Sequence, residues 1–156
     1  MRILTTEMVE DAINLARPIV EKILSRKDAT WGPKWVEVVV DIGDRNFPLY
    51  FHFGTIVPWK EEWGAKKNFT EIALKKLKLS DRTGMNTSAI VALCPWQLEP
   101  GNFLYAGGVT KDGITVAVSG AIGIVDEGIA SIIIEVIAMF AKLEAKQRME
   151  RGEMQI

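Results

Sequence analysis

The chain has 156 residues, 48% of them hydrophobic and 25% charged, with a formal net charge of −1. That composition suits one globular domain over 1–156 and excludes both disorder and an overall field that would draw the protein to nucleic acid or to an anionic membrane. Cys94 is the single cysteine, so an internal disulfide and a cysteine-based zinc cluster are excluded, in keeping with a reducing compartment.

Thr5 suits a helix N-cap, with Leu4 and Val9 placed as a hydrophobic staple around it. Val9, Ala12, Ile13, Ala16, Ile19, Val20, Ile23 and Leu24 then recur at helical spacing, and Pro18 predicts a kink or interruption. Lys27 to Pro33 ends the run. Val36, Val38 and Val40 alternate with Glu37, Val39 and Asp41, a strand signal. The turn residues Asp41 to Asn46 lead to a second strand over Leu49 to Phe53, so the pair reads as an antiparallel hairpin. A loop with Trp59 and Trp63 precedes a helix from Asn68 to Leu79.

Gly84 to Pro100 reads as irregular or partly helical. Phe103 to Ala106 and Ile114 to Val118 form a second predicted hairpin, whose connection contains the turn dipeptide Asp112-Gly113. After the flexible turn Ser119 to Gly123, Asp126 and Glu127 read as the acidic opening of a long last helix. Its most apolar part, Ile129 to Ala141, is about 13 residues, short of the roughly 20 that a membrane span needs. The N-terminus is an acidic amphipathic stretch, unlike a signal core, and the chain reads as soluble and cytoplasmic. The order helix, hairpin, helix, hairpin, helix gives an α+β domain with an antiparallel sheet of four to five strands.

Three ordered segments carry a resemblance. They are Val39-Val40-Asp41-Ile42-Gly43-Asp44; then Ile72 to Ser80 with Thr87-Ser88; then Gly107-Gly108-Val109, Val116 to Ala121, Asp126-Glu127 and Ile129-Ala130. Together they span about Val36 to Ile137 and resemble the GlcG/HbpS-like family, whose members include haem-binding proteins and the C-terminal domain of PduO-type proteins. Val116-Ala117 stands where many members carry a glycine, and the tryptophan-rich segments are atypical. The resemblance implies a profilin-like sheet with helices on both faces, oligomers in several members, and haem as a possible cofactor. It implies no established reaction.

The Ser119-Gly120-Ala121 turn is the first ligand-site candidate, because small residues admit a ligand to the backbone and a helix start offers N–H groups to an anion. A tight strand-to-helix connection explains the same residues equally well. Lys66, Lys67, Lys75, Lys76 and Lys78 give the second helix and its approach a cationic face, suited to a carboxylate, although most such faces are merely solvated. Asp41 and Asp44 suit proton transfer or a hard cation, but plain turn chemistry is the favoured reading.

Asp126 and Glu127 are further proton-transfer candidates. His52, the only histidine, is a candidate metal ligand, with a structural role favoured. No zinc motif is present, and Cys94 reads as an inert thiol. Trp31, Trp35, Trp59 and Trp63 read as packing or a subunit contact before a platform for a flat ligand. The last helix is apolar around much of its circumference, which predicts a homo-oligomer unless other elements of the chain cover it. The leading function is an oligomeric small-molecule-binding accessory protein of metabolism. The alternatives are an enzyme acting on a small organic acid and an oligomeric scaffold without ligand.

Overall fold

In the computed structural model, residues 3–43, 47–102 and 105–153 are described. Asp44 and the pair Phe103-Leu104 lie outside them. The first helix, α1 (Thr6–Leu24), is capped as its sequence predicts: the Thr5 hydroxyl accepts from the Met8 N–H at 3.2 Å. Pro18 does not interrupt it. Both Pro18 and Asn14, whose carbonyl loses its donor to the proline, face solvent, so water replaces the missing bond.

The strands β1 (Trp35–Asp41) and β2 (Leu49–Gly54) pair antiparallel, with Glu37 opposite His52 and Val39 opposite Tyr50. Next come α2 (Phe69–Thr83) and the short α3 (Thr87–Leu93), which turns out to be the regular part of the stretch read as partly helical. The second helix runs past Leu79 to Gly84, which closes it at φ +68°.

The second hairpin differs from expectation. Its first strand, β3, is Gly108–Lys111; of the expected strand Phe103–Ala106, Tyr105 and Ala106 form bends and the other two residues are outside those described. It joins β4 (Ile114–Ser119) through Asp112 and Gly113 alone, both with positive φ (52° and 81°). A two-residue turn of that kind matches the right-handed twist of the strands. The last helix, α4 (Gly123–Glu150), starts three residues before Asp126.

The four strands form one antiparallel sheet in the order β2-β1-β4-β3, with helices on both faces. Strand alternation divides the core. Val36, Val38, Val40, Val116 and Val118 meet α1 and α4 on one face, where Val9, Ile13, Val20, Ile129, Ile133 and Ile137 are buried with them. On the other face Val39 and Ala117 meet Ala73 and Leu77 of α2. Because α1 packs along α4, much of the apolar circumference of α4 is covered within the chain. Among the described residues no helix is long and apolar enough to cross a membrane.

Candidate functional site

On the α2 face, the period of that helix puts Phe69, Ala73, Lys76, Leu77 and Ser80 on its buried side. One of these is a lysine. Lys76 is 1% exposed, and its ammonium reaches across to β4, donating to the Val118 carbonyl at 2.9 Å and to Asp126 Oδ2 at 3.3 Å. Asp126, 2% exposed, points inward from the first turn of α4, and its Oδ1 accepts the Ala121 N–H at 2.9 Å. A buried ion pair thus ties α2, the end of β4, the following turn and α4 together.

The pair lies at the floor of a cavity of ≈ 270 Å³. The Ser119–Gly123 turn and Lys76 and Asp126 form its polar part, while Trp31, Phe69, Ile72 and Tyr105 form an aromatic and aliphatic wall. Lys67 stands at its margin, its ammonium 4.8 Å from the centre of the Trp31 ring. Polar groups converging in a mostly apolar cleft are the usual form of a small-ligand site.

Burial raises the Asp126 carboxyl to about 7, against the pull of Lys76 and of the Ala121 and Gly120 N–H groups. Burial also lowers the Lys76 ammonium, with Asp126 opposing. Between the ordinary aspartate value of 3.8 and about 7, the native carboxyl holds a proton that the unfolded one has released. Stability is therefore expected to fall as pH rises through that window. Urea unfolding at successive pH values checks this, and Asp126→Asn should flatten the slope.

The sequence candidates divide sharply. Ser119, Gly120, Ala121, Lys76 and Asp126 come together at the cavity. Lys75 does not: one residue along the helix turns it to solvent, where it lies 3.9 Å from Glu71. Gly120 is needed for the fold as well, since at φ +138° a Cβ there would lie 2.4 Å from the Trp35 carbonyl oxygen. Glu127 accepts the Ser88 hydroxyl and so pins α3 to α4.

Asp41 lies at the opposite end of β1 from Trp35 and the cavity, accepting the Gly43 N–H at 2.8 Å, which is turn chemistry. His52 stands on β2 opposite Glu37, and Cys94 caps α3; neither lines the cavity. Among the described residues no cluster of three or more His, Cys, Asp or Glu side chains is placed to hold a metal ion. Trp31, Trp35, Trp59 and Trp63 pack on one another and on Phe69, with ring centres 5.3–6.1 Å apart. Sequence reasoning named Lys76 and Asp126 separately and missed that they pair. The available signal was a lysine on the apolar stripe of α2.

Comparison with solved structures places this geometry among known folds. The structure of HbpS matches with a TM-score of 0.57 and 26% identity, covering 85% of this chain and 89% of that chain. Klebsiella pneumoniae protein ORFY, described under DUF336, matches with a TM-score of 0.55, covering 88% of this chain and 90% of that one; at 15% identity the likeness is of fold alone. No family model matches the sequence, and no curated protein matches it.

Proposed function

We propose that this chain, which is GlcG/HbpS-like in sequence pattern and fold, is a small-molecule-binding accessory protein of metabolism. The observation that carries this reading is the cavity of ≈ 270 Å³, aromatic on one side and floored by the buried Lys76–Asp126 pair. Its size, near the low end for ligand pockets, suits a small organic molecule. Its margin and floor hold two lysines against one carboxyl that burial inclines towards neutrality, which favours an anion.

Haem fits this cavity poorly. Among the described residues, of the side chains that commonly ligate its iron only Tyr105 lines the walls, while His52 and Cys94 lie elsewhere. A larger cleft of ≈ 540 Å³ adjoins it, sharing Lys67 and Phe69 and walled by Trp35 and Trp59, but it too has no histidine, cysteine or methionine.

The proposed working form is a cytoplasmic homo-oligomer. With α1 covering α4, support for assembly comes from the resemblance and from apolar side chains still exposed on these helices, among them Leu15, Ile19, Met139 and Leu143. Native mass spectrometry of untreated protein reads subunit number and retained ligand together, and a monomer would end the assembly proposal. Ile72→Trp, which fills the cavity from α2, should abolish ligand binding while the fold persists. Binding at undiminished affinity would exclude the cavity as the site.

A second reading, an enzyme acting on a small organic acid, is favoured by one observation. Asp126 faces the cavity with a carboxyl raised to about 7, the range that suits proton transfer near neutral pH.

A further inference from the structure

A lysine buried on the floor of a ligand-sized cavity is an amine as well as a cation. We infer that Lys76 captures a 2-oxo acid as an imine, with Asp126 carrying the protons. This rests on reading the cavity as a ligand site.

Three features support it. The Lys76 Nζ and Asp126 Oδ2 are 3.3 Å apart, so a proton passes between them without rearrangement, leaving a neutral amine beside a carboxylic acid. Phe69, Ile72 and Trp31 limit water around the pair, which favours that uncharged form and protects an imine from hydrolysis. Lys67, at the margin, supplies a cation for the carboxylate of a ligand whose carbonyl lies deeper. Burial acts on both groups in the same sense, lowering Lys76 and raising Asp126. Reactive lysines are made in this way.

The step balances. The nitrogen lone pair forms a bond to the carbonyl carbon as the C=O π pair moves to oxygen, which takes the Asp126 proton. Asp126 then accepts a proton from nitrogen and delivers it to the new hydroxyl, which leaves as water. As the water leaves, the nitrogen lone pair closes the C=N bond, so amine, carbonyl and carboxylic acid become protonated imine, water and carboxylate, without oxidant or metal.

The test uses the intact wild-type chain at neutral pH, with pyruvate as probe and cyanoborohydride to reduce any imine. Peptide mapping reads the product, and tryptophan fluorescence in parallel, with Trp31 in the wall, reads binding. Lys75 and Lys78, exposed on the same helix, are internal controls. Labelling at Lys76 should exceed either by at least about tenfold, because the cavity holds the keto acid against that amine and Asp126 carries the protons of the step. Asp126→Asn should remove most of that excess.

Saturable quenching with labelling spread evenly over the exposed lysines would overturn the imine and leave the binding reading standing. Neither quenching nor labelling would overturn the imine and count against the cavity as a site for such acids. Lactate, which has the carboxylate without the ketone, should compete for binding yet give no adduct. Loss of competition would place the acid elsewhere and overturn the inference.

Discussion

Asp126→Ala is expected to destabilise the fold by about 3–5 kcal/mol, the usual cost of stranding one member of a buried pair. The substitution leaves Lys76 buried without its partner and the Ala121 N–H without its acceptor. For a chain of this size the midpoint of thermal unfolding should drop by about 6–20 °C. Urea unfolding gives the free energy directly. Combining the change with Lys76→Met should recover part of the loss, because the stranded charge goes with the side chain. A cost below about 1 kcal/mol for Asp126→Ala would mean that the pair does not hold the α2–α4 junction.

Gly120→Ala is expected to cost at least about 3 kcal/mol and, in the harsher outcome, to prevent accumulation of folded protein. The added Cβ would meet backbone: the Trp35 carbonyl oxygen at 2.4 Å and the Val36 Cα at 3.0 Å. Neither can swing aside as a side-chain tip can, and φ +138° is strained for any residue with a Cβ. Gly113→Ala is the fitting comparison, since nothing lies within 4 Å of its Cβ position. That change should cost only about 1 kcal/mol. Urea melts of the two variants separate close approach from backbone conformation, and equal losses would remove the Trp35 contact as the cause.

The elements built from a plain period were legible in the sequence. Thr5 and the repeat from Val9 mark α1, and the valines of β1 announce a strand. What escaped depends on contacts made from elsewhere in the chain. Gly108 lowers local strand propensity, so Phe103 to Ala106 looked the better strand. Yet Gly108 is in β3 because α2 runs so close that a Cβ would lie 2.5 Å from the Ser80 hydroxyl and 2.8 Å from the Lys76 carbonyl.

The same holds at the site. An aspartate in the first turn of a helix normally complements the helix dipole at the surface, and the sequence around Asp126 suits that role. Its inward aim becomes intelligible only with Lys76 opposite. Lys75 and Lys76 look alike in sequence, and a rotation of about 100° along the helix separates a solvated side chain from a buried one.

The length of α4 has a consequence of its own. Its 28 residues extend roughly 42 Å, whereas the six of β4 extend roughly 20 Å. The sheet alone therefore cannot shelter the whole helix, and the turns beyond Phe140 lie beside the start of α1, where Thr5, Met8 and Asp11 share a cleft with Leu143, Glu144 and Arg148. There the holding forces change in kind, from apolar burial to charge pairs such as Arg148–Glu144, Lys146–Glu150 and Arg151–Glu144. Dissolved ions weaken such pairs and scarcely touch a hydrocarbon core. Concentrated salt should thus loosen the last turn of α4, where Lys146–Glu150 is exposed and Arg151–Glu144 partly so, while the body of the domain stays intact.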